Sequence, residues 1–190
     1  WRLLLDTHWS APANFTILCG GEALPRDLSR QLLALDIKLW NLYGPTETTI
    51  WSAAKQVVLS EEYEMDGCEP VGAPIRNTQI YTLDERLNCQ PIGFSGELVI
   101  GGDGLARGYL NRPDLTADQY RPDPFSPIPG ARIYRTGDLA RARSDETYEF
   151  LGRIDSQIKI RGYRIELGEI ENVILSKNDV RECVVVAVDH

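Results

Sequence analysis

Apolar and polar positions follow two different rhythms along this chain, and the change between them divides it. In the first part, Asn14 to Leu18 and Ile37 to Leu42 are short β-type runs. Between them Leu28, Leu32 and Leu35 recur at helical spacing behind Pro25, which predicts a helix over residues 25–35. Strand, helix, strand predicts a βαβ unit with parallel strands and a right-handed crossover. Gly20-Gly21-Glu22 and Tyr43-Gly44-Pro45-Thr46-Glu47 follow the carboxyl ends of the two strands. They therefore open on one side of the sheet and are placed to line one crevice, although either alone reads equally as a connecting turn.

From about residue 70 the pattern changes to short β segments punctuated by glycine and proline. Gln79–Leu83, Glu97–Ile100, Arg132–Arg135 and Thr147–Leu151 read as strands, with loops at 91–93 and 123–130. A helix at Leu167–Leu175 and a β-branched strand at Val180–Val188 then begin a further unit. The fold class expected is mixed α/β. It comprises the end of a parallel βαβ layer (1–68), a small distorted antiparallel β-barrel or sheet (69–153), and the start of an α+β C-terminal subdomain (154–190).

Composition changes this picture little: 43% hydrophobic and 25% charged residues in 190 are ordinary globular usage. A net charge of -8 argues against nucleic acid and anionic membranes as partners. Cysteines 19, 68, 89 and 183 form no CxxC pair or zinc-ligand rhythm, so reduced thiols and a cytoplasmic location are the default. No apolar run is long enough to span a bilayer, and no basic-then-apolar leader opens the chain. The opening Trp1-Arg2-Leu3-Leu4-Leu5 reads as the middle of a helix, and the end follows a strand-like run. The expectation is a piece of something larger.

Candidate chemistry narrows by elimination. Residues 101–108, Gly-Gly-Asp-Gly-Leu-Ala-Arg-Gly, fail as a dinucleotide fingerprint, because Arg107 stands where the third glycine belongs and Asn111-Arg112-Pro113 interrupts the helix that should follow. Gly93-Phe94-Ser95-Gly96 lacks the spacing of a nucleophile elbow, and two histidines near the ends make a histidine triad improbable. Tyr134-Arg135-Thr136-Gly137-Asp138 is more suggestive, since a carboxylate held on a glycine turn can accept both hydroxyls of a ribose. Arg153, Asp155, Lys159, Arg161, Arg164 and Glu166 crowd two strand-like pieces, more charge than a structural hairpin needs, although a solvated hairpin is the plainer reading.

Four stretches, Asn41–Ile50, Gly96–Tyr109, Tyr134–Asp138 and Gly152–Glu166, together resemble the adenylation domain of a nonribosomal peptide synthetase, in order and spacing, over essentially the whole chain. The resemblance implies the adenylate-forming superfamily, shared with acyl-CoA synthetases and luciferases. Its members join a carboxylate to ATP as an acyl-adenylate with release of pyrophosphate, then pass the acyl group to a thiol. By that resemblance Tyr43 lies on the adenine face, Gly21, Glu22 and Ala23 along its other side, and the Asn41 amide at its polar edge. Thr46 and Glu47 sit by the phosphates, Glu47 holding Mg²⁺, a hard cation that prefers carboxylate oxygen. Asp138 takes the ribose hydroxyls with Tyr134 near the base, and Arg153 contacts ribose and phosphate. Asp155 is implied as a hinge for the small C-terminal subdomain, with Lys159 presented in a second, thiolation state and Gly162 beside the phosphopantetheine arm.

The same resemblance aligns Leu18, Gly20, Leu42, Ile50 and Trp51 with the substrate pocket. Leu42, Ile50 and Trp51 are large and leave little volume, so the expected substrate is glycine, with alanine or another small amino acid next. Trp51 as a mere core residue is the alternative. Implied partners are the amino acid and the carrier-protein and condensation domains of the same assembly line. Neither a Thr-Ser-Gly-Thr-Thr-Gly-Lys phosphate loop nor a Pro-Lys-x-x-x-Gly-Lys stretch occurs, so these 190 residues are expected to be inactive by themselves. An acyl-CoA or aryl-acid ligase of the same superfamily and a non-catalytic nucleotide-binding or interaction module remain as alternatives.

Overall fold

The computed structural model describes all residues except 8, 60–66, 156, 161–162, 178 and 189–190. After a short helix α1 (Arg2–Asp6) come β1 (Thr16–Gly20), α2 (Arg26–Leu33) and β2 (Lys38–Tyr43). β1 and β2 are parallel, with Ile17 opposite Leu39 and Gly20 opposite Leu42. The β1–β2 face carrying Ile17, Cys19 and Leu39 packs on Leu28 and Leu32 of α2, which forms one hydrophobic core. Because side chains alternate along a strand, Leu18, Gly20 and Leu42 fall on the opposite face.

A 3-10 turn (Thr46–Thr48) then reverses the chain into β3 (Ala53–Val57), which runs antiparallel to β2 and sets Ala53 opposite Tyr43; β4 (Ala73–Pro74) closes a four-stranded sheet. The sequence did not signal β3, since Ala53-Ala54-Lys55-Gln56-Val57 has no alternation of apolar and polar side chains.

The second sheet contains β5 (Thr78–Leu83), β6 (Ser95–Gly102), β7 (Tyr120–Pro122), β8 (Arg132–Ala142) and β9 (Tyr148–Arg153), with α3 (Pro113–Gln119) leading into β7. Its order is β5-β6-β8-β7 with β9 also on β8, all antiparallel, and it stays an open sheet rather than a barrel. β8 runs seven residues beyond the strand expected at Arg132–Arg135. Polar Thr136 and Asp138 break the apolar pattern there but stay inside the sheet, where the Thr136 hydroxyl donates to the Leu98 carbonyl at 2.6 Å.

The two sheets share a core of Tyr43, Ala53, Val71, Ile80, Leu98, Ile100 and Ala140. They are also joined through backbone: Val71 N–H donates to the Tyr148 carbonyl at 2.8 Å and Tyr148 N–H to the Gly72 carbonyl at 3.1 Å. A hairpin, β10 (Ile158–Ile160) and β11 (Tyr163–Ile165), precedes α4 (Leu167–Leu175), which matches the expected helix. The strand expected at Val180–Val188 is absent. Residues 182–188 have no regular secondary structure, because a β-branched run becomes a strand only when another supplies the ladder, and no described strand pairs with it. Among the described residues no helix is long and apolar enough to cross a membrane.

Candidate active site

The sheet junction leaves a cleft of ≈ 730 Å³ bordered by Gly21, Glu22 and Ala23 after β1, by Asn41 to Gly44 at the end of β2, and by Asp138 and Arg153 from the second sheet. Its size suits a nucleotide. Both turns after the parallel strands therefore do open into one crevice, as strand polarity requires. Leu167 and Ile170 of α4 and residues 185–188 line it as well.

At the floor of this cleft lies a chain of polar contacts. Asp138 is only 4% exposed. One carboxylate oxygen accepts the Tyr43 hydroxyl and the other accepts Arg153 Nη1 at 2.8 Å. Arg153 Nη1 also donates to the Thr136 carbonyl at 2.7 Å, while Nε and Nη2 reach the Asp155 carboxylate at 2.9 and 2.5 Å. Burial works against the Arg153 charge, yet Asp155 and Asp138 outweigh it and hold the guanidinium above its ordinary pKa. Burial first, and the Asp138 charge second, push the Tyr43 phenol well above its ordinary range, so it stays a donor.

Local structure fixes Asp138 in turn. Gly137 adopts φ +70°, and its N–H donates to Glu97 Oε1 at 3.1 Å, while Glu97 Oε2 takes Arg135 at 2.6 Å. The Asp138 N–H is held by Thr136 Oγ1 at 3.0 Å. A side chain at 137 would stand 2.8 Å from Arg153 Nη2 and 3.0 Å from Asp155, so the glycine is the space the Arg153–Asp155 pair occupies.

A second polar cluster lies at the 3-10 turn. Glu47 is buried, and its Oε1 accepts the Tyr109 hydroxyl at 2.8 Å. Its backbone carbonyl accepts the Ala106 N–H at 2.8 Å and the Tyr120 hydroxyl at 3.3 Å. Burial first, and the Glu47 carboxylate with it, raise the Tyr109 phenol to about 12, against a smaller opposing effect of the Tyr134 hydroxyl. Thr46 beside it is exposed. Neither Thr46 nor Glu47 borders the cleft itself.

Among the described residues no three His, Cys, Asp or Glu side chains gather as a metal site. A lone buried carboxylate fits a magnesium ion that arrives with phosphate oxygens and water, the way this cation is usually held.

The remaining expected residues are distributed unevenly. Asn41 borders the cleft, but its amide N–H groups donate to the carbonyls of Pro70 at 2.9 Å and Glu69 at 3.4 Å, a backbone clamp the sequence did not suggest. Tyr134 is fully buried against Tyr120 and 3.4 Å from the Tyr109 hydroxyl, so the structure groups it with the Glu47 cluster and not with the cleft lining. Of the pocket set, Gly20, Leu42 and Trp51 converge: a Cβ at Gly20 would stand 2.5 Å from the Trp51 ring and 2.9 Å from the Leu42 carbonyl. Leu18 is exposed on the same strand face, and Ile50 is 61% exposed. The Lys159 side chain and Gly162 lie outside the described residues. Reasoning from sequence gave no site role to Tyr109, Glu97 or Thr136, although all three lie in the stretches Gly96–Tyr109 and Tyr134–Asp138 that carry the resemblance.

Residues 6–110 match the family model of the AMP-binding enzymes. The chain belongs to the AMP-binding enzyme family. It is 50% identical over 186 residues to a dimodular nonribosomal peptide synthase of Bacillus subtilis (strain 168), matching 98% of this chain and 8% of that protein. Among solved structures it resembles a holo four-domain nonribosomal peptide synthetase bound to AMP and glycine, with TM-score 0.73, 49% identity, and coverage of 98% of this chain and 14% of that one. An artificially fused adenylation–PCP di-domain from Klebsiella oxytoca gives TM-score 0.84 at 27% identity over 100% of this chain and 38% of its own. This AMP-binding family chain thus spans a small part of the length of its relatives.

Proposed function

We propose that these residues form part of an amino-acid adenylation site within a longer, ATP-dependent, AMP-forming ligase. The observation that carries it is the convergence of Tyr43, Asp138 and Arg153 on one cleft between two turns that follow parallel strands. ATP supplies the leaving pyrophosphate, and the amino-acid carboxylate becomes the aminoacyl-adenylate.

In this reading Asp138 receives the ribose hydroxyls, Tyr43 offers its ring to the adenine, and Gly21, Glu22, Ala23 and Asn41 border the base. Arg153 neutralises negative charge on the nucleotide, and its permanent protonation suits it to charge that moves during displacement. Glu47, with Thr46, would hold magnesium on the phosphates, and magnesium would neutralise the charge of the departing group. Asp155, Lys159 and Gly162 would serve a swing of the C-terminal segment toward a carrier-protein phosphopantetheine, with condensation domains as further partners in a cytoplasmic assembly line.

The substrate proposed is glycine, with alanine or another small amino acid next. The approach of the Trp51 ring to Gly20 supports it, because an indole lying across the glycine closes the space a larger side chain would need. The related four-domain synthetase that holds AMP and glycine, at 49% identity, supports it as well. In the complete protein, Trp51→Ser should extend pyrophosphate exchange to larger amino acids, with a shift in selectivity of about tenfold or more. Unchanged selectivity would remove Trp51 from the pocket. Amino-acid-dependent exchange by the complete protein tests the whole reading; an acyl-CoA or aryl-acid ligase would instead respond to acids without an α-amino group.

A further inference from the structure

Glu47 belongs to the first sheet by chain order, but its surroundings come from the second. The loop after β6 approaches so closely that a Cβ at Gly104 would stand 2.9 Å from the Thr48 carbonyl, and Thr49 Oγ1 donates to the Gly104 carbonyl at 2.7 Å. Ala106 N–H and the Tyr120 hydroxyl hold the Glu47 backbone, which leaves side-chain orientation as the remaining freedom. The Tyr109 hydroxyl fixes it, at 2.8 Å from Oε1.

Tyr109 is itself rigidly placed. Its N–H donates to Thr116 Oγ1 at 2.9 Å, and its ring meets Tyr120 edge-on at 5.9 Å between centroids. Tyr120 in turn packs on Tyr134 at 5.1 Å and carries the Arg132 guanidinium 5.0 Å from its ring centroid. That guanidinium also donates to the carbonyls of Ala106 and Arg107, closing the loop on itself. A carboxylate that must meet a hard cation at a narrow set of angles gains from such support, since the partners that orient a ligand strongly affect metal affinity.

We propose that Tyr109 is a positioning residue for Glu47, through which the antiparallel sheet sets the orientation of the carboxylate offered to magnesium-bound phosphates. This rests on the reading of Glu47 given above. Tyr109→Phe keeps the ring against Tyr120 and removes only the hydroxyl. In the complete adenylating protein the magnesium concentration giving half-maximal pyrophosphate exchange should rise about tenfold. The KM for the amino acid should stay unchanged. Calorimetry should register the same loss for magnesium–ATP and none for AMP without the metal.

Glu47→Gln separates the two levels of the argument. A loss of magnesium–ATP affinity in Glu47→Gln but not in Tyr109→Phe overturns the positioning role alone, whereas no loss in either overturns the Glu47 assignment and the role with it. In the double variant, affinity no lower than in Glu47→Gln supports the proposal, because the hydroxyl acts only through that carboxylate. Independent, additive losses overturn it. Equal weakening of AMP and magnesium–ATP in Tyr109→Phe would indicate general loosening of the fold and overturns it too.

Discussion

Asp138→Ala in the complete protein should lower AMP affinity and pyrophosphate exchange by about a hundredfold or more, and should also destabilise the fold. The functional loss follows from removing a carboxylate proposed to accept two ribose hydroxyls, each a charge-assisted hydrogen bond of about 1.5–3 kcal/mol. The structural loss follows from what is left behind. Arg153 keeps Asp155 and the Thr136 carbonyl, but the charge facing it from the floor of the cleft is gone, and the buried Tyr43 hydroxyl loses its acceptor. Breaking one side of a buried ion pair costs about 3 kcal/mol. Asp138→Asn should restore much of the stability by keeping an acceptor for Tyr43, while nucleotide affinity recovers only partly because the charge does not return. Calorimetric AMP binding and urea unfolding on both variants check this. Wild-type AMP affinity in Asp138→Ala would remove Asp138 from the nucleotide site.

Gly72→Ala should be among the most damaging glycine substitutions in the chain. Gly72 has φ +101°, and a Cβ there would stand 2.2 Å from the carbonyl carbon and oxygen of Ala54. The obstruction is backbone of β3, which has no rotamer to yield, and β3 also sits against β2 beside Tyr43. The same residue bridges the two sheets through Tyr148. Left-handed strain and overpacking together should cost about 3 kcal/mol. Gly130→Ala supplies the control: its φ is +80°, but nothing lies within 4 Å of its added Cβ, so only the conformational part of about 1 kcal/mol remains. Urea midpoints of the two variants in the complete protein separate clash from conformation. Equal losses would mean that residues 71–73 do not approach β3 this closely.

Both substitutions act where the sheets meet, and that junction was the least legible part of the sequence. The βαβ unit was readable because Leu28 and Leu32 mark one helical face and Pro25 and Gly44-Pro45 punctuate its borders. The helix at 167–175 was readable for the same reason. β3 was hidden by its flat composition, and the full length of β8 by its buried threonine and aspartate. The expected strand at 180–188 carried the right side chains but no ladder partner among the described strands.

For the site, the sequence by itself determined which residue types are available: two polar turns after parallel strands, a carboxylate on a glycine turn, and an arginine beside a second carboxylate. Local rules of periodicity, turn chemistry and strand polarity act over a few residues and leave their mark in order. Tertiary structure alone decided that Tyr43 and Arg153, 110 residues apart in the chain, hold the two oxygens of one Asp138 carboxylate. It also turned the Asn41 amide onto the backbone at 69–70 and brought Tyr109 to Glu47 across 62 residues. Such contacts depend on how two sheets share one core. A hydroxyl finds a carboxylate because burial leaves it few other acceptors, and no spacing along the chain encodes which one it will be.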